Sequence, residues 1–494
     1  MALPLMTACA VPFALDQART ESQYPTMNSK QSVIEKIKQA LGPQGYVDDP
    51  GALDAYNVEY RGLYRGTATF VARPGSPEDV AFVVKACAEA GVGMVPLGGH
   101  TGLVGGGIAN DEIIISTERL NKIQAIDTLN GTMTVGAGCI LADIQKAADD
   151  ADKLFPLSLA AEGSCRIGGN LSTNAGGTNV LRYGNARDLV LGLEVVLPSG
   201  DIWNGLKGLR KDNTGYEMKH LFMGAEGTLG IITAAVLKLF PKPRQTETAL
   251  IALNDVESVM KLFARASDAV GDALTAFEYM NRNSLWVSCQ YTEGLRDPFE
   301  AEHPAYVLLE LTSPRPGTDL RDAIEQFLGD ALEAEEVVDA VLAESEQQRH
   351  DIWHIREAIS DSQGNEGGSI KNDLSIPISK MTEFLVKADA IVEDAVNGIR
   401  PMTFGHIGDG NLHYNLTQPT GMDKKAFLDK WHDVTDPLND LVHEMDGSFS
   451  AEHGVGKLKR EELVRYSTPV EMNLMRKIKA VLDPGGIMNP GKVL

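Results

Sequence analysis

Six of the ten residues from Gly98 to Gly107 are glycine, in the run Gly-Gly-His-Thr-Gly-Leu-Val-Gly-Gly-Gly. A backbone this open lets successive N–H groups converge on one anion, the geometry of a phosphate nest. No Gly-Lys-Ser/Thr follows, so the run is not a Walker loop, and it leads into a strand rather than a helix, so it is not the Rossmann fingerprint. Alone it is as much a structural turn as a nucleotide cradle. A second cluster, Glu162 to Gly177, settles the balance. Its small residues leave room for a flat ligand, while Ser164, Ser172, Thr173 and Asn174 offer hydrogen bonds. A third glycine turn, Gly224 to Gly230, feeds the β-rich run Ile231-Ile232-Thr233.

At 494 residues the chain exceeds one ordinary core, and two or three domains are expected, with Phe240-Pro-Lys-Pro243 as a boundary. The formal net charge of −23 removes nucleic acid and anionic membrane surfaces as partners. Five cysteines without CxxC spacing give neither a disulfide framework nor a thiolate zinc site, which fits a reducing compartment. No apolar run reaches membrane-spanning length. Residues 1–29 lack a basic leader segment and read as a disordered or non-native extension, with translation starting at Met27.

The second half patterns as α+β with one antiparallel sheet. Its most informative stretch is Phe404-Gly-His-Ile-Gly-Asp-Gly-Asn-Leu-His-Tyr-Asn415. A four-residue turn at Gly408–Asn411 would set Ile407 against Leu412 and His406 opposite His413, with Asn415 on the same face as His413. Downstream, Ala451-Glu-His-Gly-Val-Gly456 adds Glu452 and His453. Three N/O ligands with an open fourth position describe a catalytic zinc-type site. Glu452 and His453 can share that site only if the backbone turns between them, which Gly454 and Gly456 permit. Arg356 on a helix and Lys371 in an extended segment are further cations, each by itself no more than a solvated charge.

With these blocks in order from about residue 50 to the C-terminus, the chain resembles the flavin-linked oxidases of the vanillyl-alcohol oxidase/p-cresol methylhydroxylase superfamily. The nearest branch is that of the D-2-hydroxyglutarate and D-lactate dehydrogenases. The resemblance implies an FAD-binding domain of two α+β subdomains over 30–244, a substrate and metal domain over 245–455, and a segment, 456–494, returning to the first. Flavin contacts would come from Pro96, Gly98, Gly99, His100, Thr101 and Gly102, and from Gly163, Ser164, Ile167, Gly168, Asn170, Ser172, Thr173, Asn174, Gly176 and Gly177. Glu226, Gly227, Ile231, Ile232 and Asn489 would complete them. His406, His413 and Glu452 would hold a divalent metal, taken as zinc, and His453 would be the base. Arg356, Ser360, Lys371 and Asn415 would contact substrate.

Two positions depart from the pattern. His100 stands where the hydroxyglutarate branch has Asn, and other members use a Gly-Gly-His loop to bond flavin; the expectation here is non-covalent FAD. Ser360 replaces an expected Thr and keeps the hydroxyl. The implied reaction is oxidation of a D-2-hydroxy acid to the 2-oxo acid, D-2-hydroxyglutarate first, with D-lactate and D-malate as competitors. The electron acceptor would be an electron-transfer flavoprotein, a quinone or a cytochrome, the assembly a homodimer, and the compartment the cytoplasm or a mitochondrial matrix. The same His/His/Glu set could serve a metallohydrolase, a reading that leaves the glycine clusters without purpose. A non-catalytic partner subunit would have no need of all these polar residues together.

Overall fold

The computed structural model describes residues 27–317 and 319–494, and the expectation for residues 1–26 lies outside them. The first helix runs Met27–Leu41 and stops at Gly42, whose φ of 68° closes it. Helix Pro77–Ala90 shows the local logic well. Ser76 accepts a hydrogen bond from the Asp79 N–H, Pro77 opens the first turn, and Gly91 at φ 64° ends the helix.

A four-stranded sheet carries, in order, Tyr46–Val47, Val71–Ala72, Ile113–Ser116 and Met94–Leu97. Its last three strands are parallel, and helix Pro77–Ala90 crosses between two of them. The second sheet is antiparallel, ordered Ile123–Asp127, Thr132–Gly136, Ile231–Lys238, Val190–Val196, Ile202–Gly205. The long strand Ile231–Lys238 is central, which fits its run of seven buried residues, apolar except for Thr233. Within the glycine cluster the chain forms a helix, Ile167–Thr173, that the sequence did not signal. Ile167 and Leu171 bury against this sheet and supply the energy that the glycines do not.

An eight-stranded sheet follows, built on Gln245–Leu253, Ala305–Ser313, Leu274–Asn281, Arg400–Gly405 and Asn411–Thr417. Helices Val256–Val270, Leu320–Glu333 and Met381–Ala395 cover one face around Phe277, Phe384 and Tyr414. Helices Arg282–Tyr291 and Glu346–Glu357 cover the other around Met280, Tyr306 and Met402. The C-terminal segment then returns to the first sheet, where Met488 bridges Met94 and the Asn489 N–H donates to the Met94 carbonyl at 2.7 Å.

The hairpin register corrects the sequence reading. His413 pairs with Phe404, and Asn415 with Met402. His406 leaves the strand. Gly405 sits at φ 148° and the chain winds through a 3-10 turn, Ile407–Asp409, before Gly410 at φ 89° restarts it. The Asn411 and Asp409 amides both close on the His406 carbonyl, so the turn is wider than a minimal hairpin. Among the described residues no helix is long and apolar enough to cross a membrane.

Candidate active site

The first two glycine clusters and the turn before Ile231 converge on one cleft. Pro96, Gly98, Gly99, His100, Thr101 and Gly102 line it on one side, and Gly168, Asn170, Ser172 and Thr173 on another. Glu226, Gly227, Ile231 and Ile232 complete the wall. Gly99 is required by a close approach: a Cβ there would lie 2.3 Å from the Ser164 carbonyl oxygen. The buried Oδ1 atoms of Asn170 and Asn489 have no hydrogen-bond partner, the signature of a polar ligand's seat. The Asn489 amide nitrogen donates to the carbonyls of Gly106 and Glu226 at 3.2 and 2.8 Å.

Other expected flavin contacts support the cleft without lining it. Ile167 belongs to the core, and Asn174, left-handed at φ 52°, accepts the Arg187 amide. Gly177 lies so close to Ser158 that a Cβ would strike its carbonyl, while a Cβ on Gly163 would meet nothing within 4 Å. Gly176 faces the other site, for a Cβ there would come within 2.9 Å of Glu452 Oε2. His100 holds φ 59°, and its Nε2 lies 2.8 Å from the Val58 carbonyl oxygen. Burial lowers its pKa, against the pull of that hydrogen bond and Glu59, so a neutral ring donating from Nε2 fits the contact.

Next to the cleft stands a cluster of charged side chains. His413, Glu452, His453 and Asp373 offer ligand atoms within 4.8 Å of one another. His413 Nε2 is 3.6 Å from Glu452 Oε1, and the His413 and His453 rings stack with centroids 6.0 Å apart. His406 reaches the same place from its turn, its ring centroid 5.7 Å from that of His413. Its Nδ1 lies 2.6 Å from Glu278 Oε1, which leaves Nε2 as the outward nitrogen.

Sequence reasoning missed Glu278 and Asp373. Glu278 is 1% exposed and accepts from Arg356 as well, at 2.9 Å from Nε and 2.8 Å from a terminal nitrogen. Burial alone would raise its pKa; His406 and Arg356 outweigh that and hold it low. Burial opposes charge on His406, but Glu278 lifts its pKa to about 9. The Arg356 guanidinium also lies 4.7 Å over the Phe404 ring, so its fork is already occupied.

Asp373 accepts the amides of Glu452 and His453 on one oxygen, at 3.0 and 2.9 Å, and the Asn411 side chain on the other. Those bonds turn the backbone so that both side chains face one site, with Gly454 at φ 80° and Gly456 at φ 51°. Burial lowers the His453 pKa to about 4, assisted by Lys459, Arg61 and Lys371 and opposed by Asp373, so the ring is a neutral acceptor near pH 7. Burial likewise keeps His413 neutral, and raises Glu452 to about 7.

Lys371 Nζ lies 3.0 Å from Ser360 Oγ, and burial followed by the Arg61 charge lowers its pKa to about 8. Asn415 donates to Gln363 at 3.2 Å, a layer behind His413. The two sites are joined by Glu226, whose carboxylate accepts the Val455 and Gly456 amides, both at 2.7 Å. His453 belongs to both: it lines the glycine cleft and also a larger cavity with Lys371.

Comparison with known proteins agrees with this layout. Residues 68–205 match the family model "FAD binding domain", and residues 242–493 match "FAD linked oxidases, C-terminal domain". The chain is 36% identical to D-2-hydroxyglutarate dehydrogenase, mitochondrial, of Arabidopsis thaliana, across 95% of this chain and 82% of that one. It is 37% identical to D-2-hydroxyglutarate dehydrogenase of Xanthomonas citri pv. viticola, across 93% and 96%. The crystal structure of p-cresol methylhydroxylase superposes with a TM-score of 0.76 at 16% identity, across 95% of this chain and 97% of that one, a likeness of fold. The protein is an FAD-dependent oxidoreductase. It belongs to the FAD-linked oxidase family that includes the D-2-hydroxyglutarate dehydrogenases.

Proposed function

We propose that the chain oxidises D-2-hydroxy acids to 2-oxo acids, with D-2-hydroxyglutarate preferred over D-malate and D-lactate. The observation that carries this reading is the position of His453, at the border between the glycine cleft and the cavity that holds Lys371. A base there would reach a hydroxyl held in the cavity while FAD would occupy the cleft on its other side. FAD in the cleft supplies the hydride acceptor, its ring N5. The small residues and unpartnered Asn170 and Asn489 oxygens fit such a ligand.

A divalent cation here would take His413 and Glu452, which lie with Asp373 and His453 within 4.8 Å of one another, with His406 Nε2 as a further donor, and would supply Lewis acidity to a bound hydroxyl. Glu278 behind His406 and Asp373 behind the Glu452–His453 backbone fix those donors. His453, neutral and oriented by Asp373 at 3.5 Å from its Nδ1, accepts the hydroxyl proton. Lys371 and Ser360 hold the far end of the acid. The relatives' name, D-2-hydroxyglutarate dehydrogenase, supports a diacid.

Anaerobic addition of D- and L-2-hydroxy acids to the flavin-loaded protein, with and without a chelator, tests the reading. D-2-hydroxyglutarate should bleach the flavin fastest, L-isomers should not, and chelation should stop it. Bleaching by none of the D-acids would overturn it.

A further inference from the structure

The positive charge in the site is unevenly satisfied. Arg356, which the family resemblance gives as a substrate contact, has its Nε and one terminal nitrogen on Glu278 and its face on Phe404. A different guanidinium lacks a carboxylate. Arg61 comes from the N-terminal half, on a tight turn in which Glu59 accepts the Arg61 and Leu63 amides at 3.0 and 3.1 Å. Gly62 closes the turn at φ 71°, its N–H donating to the Glu59 carbonyl at 2.8 Å.

Arg61 lines a cavity of about 890 Å³ together with Lys371, Asn372, His453 and Lys459. Among the described residues the carboxylates whose charge reaches it are Glu59 and Asp373. Asp373 is committed to the backbone amides of Glu452 and His453, and one oxygen of Glu59 to its own turn, the other Glu59 oxygen having no hydrogen-bond partner and no ion pair with Arg61 among the described residues. No ion pair neutralises the Arg61 guanidinium among the described residues. Its charge is felt at Lys371 and Lys459, which it makes harder to protonate; Asp361 offsets this in part at Lys371, and Asp373 and Glu462 oppose it at Lys459. Arg61 and Lys371, half-buried and without an ion pair among the described residues, face that one cavity and form a seat for an anion, while Glu462, also in its lining, acts on Lys459.

We infer that Arg61 is a specificity-determining residue which, with Lys371, takes the carboxylate of the substrate distal to its hydroxyl. The inference rests on the diacid reading above. It places the second carboxylate under the N-terminal half of the chain. Binding a diacid therefore draws both halves onto one ligand, whereas a monoacid leaves Arg61 unengaged. The planar guanidinium can meet both oxygens of a carboxylate, and the Lys371 ammonium adds a point charge.

The test compares the full-length, flavin-loaded wild type with Arg61→Met and Arg61→Lys. It reads kcat/KM for D-2-hydroxyglutarate and D-lactate, and the Kd of 2-oxoglutarate and pyruvate from flavin difference spectra. Arg61→Met should lose about 30-fold or more on the diacid, mainly through KM, and less than about threefold on D-lactate, as loss of one charge-assisted contact requires. Arg61→Lys should recover part of the loss, and the Kd of 2-oxoglutarate should weaken where that of pyruvate does not. Equal losses on both substrates, or an unchanged 2-oxoglutarate Kd, would overturn the role of Arg61. A wild type that shows no preference for the diacid overturns the substrate reading instead, and the Kd comparison still decides on Arg61.

Discussion

The glycine cleft and the histidine cluster sit side by side yet are made in opposite ways. The cleft is built by leaving side chains out. Its walls are backbone and small residues, as at Gly99, where a methyl group would strike a carbonyl at 2.3 Å. The cluster is built by putting charge in: Glu278, Arg356, His406, Asp373 and Asn415 are each less than 9% exposed and each has a polar partner. A recess made of absences tolerates no additions. A packed set of charges tolerates no removals, because each loss strands a partner.

That contrast can be broken first at His453. Replacing it by Asn should cost on the order of 10²–10⁴-fold in kcat, the usual share of general-base catalysis, with the flavin absorbance unchanged. Loss of flavin together with activity would mean that the two sites are not separable. Arg356→Ala comes next, and its main effect should be on stability. Leaving Glu278 buried with one partner gone should cost about 3–5 kcal/mol, read from urea unfolding. Arg356→Ala with unchanged stability but selective loss of diacid turnover would return Arg356 to the substrate.

On the cleft side, Gly99→Ala should weaken FAD by about tenfold to a hundredfold, since overpacking against backbone typically costs 1–3 kcal/mol. Metal content, measured by elemental analysis, should stay the same. The smallest effect concerns pH. Lys371, with its pKa lowered to about 8, carries its charge below that pH and loses it above. The kcat/KM for D-2-hydroxyglutarate should therefore fall a few-fold relative to that for D-lactate as pH rises through about 8 to 9. A constant ratio would remove Lys371 from the distal carboxylate. His100 offers a separate check. Acid precipitation should release the flavin, since the His100 Nε2 is engaged by Val58; colour left in the pellet would show a covalent bond.

The same contrast decides what the sequence could show. Glycines that make room are visible as composition, and so are caps such as Ser76-Pro77 and Gly91, because their physics is local. Helix Ile167–Thr173 was not visible, since its apolar contacts come from a sheet formed by distant strands. The hairpin histidines were legible as a pair, but their register was not, because Gly405 and Gly410 allow a wider turn than the minimal one. Glu278 had one available signal, a carboxylate in the middle of Leu274–Asn281, a strand whose other central residues are Ala276, Phe277, Tyr279 and Met280. Such a residue must have partners, yet nothing nearby in the chain names Arg356 and His406. Arg61 gave less still, as an exposed-looking arginine in a polar turn.

Glu226 carries a last consequence. One side of this residue is in the cleft wall; its carboxylate holds the amides that follow Glu452-His453, and its carbonyl takes the Asn489 side chain. Two stretches of the C-terminal part, each more than two hundred residues beyond Glu226, therefore share it as a single hinge pin. Order that filling the cleft gives that residue would pass to the backbone beside Glu452, and, for the cation proposed above, thermodynamic reciprocity would return the same factor to the flavin. Stripping one should loosen the other, in equal measure, and cutting the Glu226 carboxylate should uncouple them.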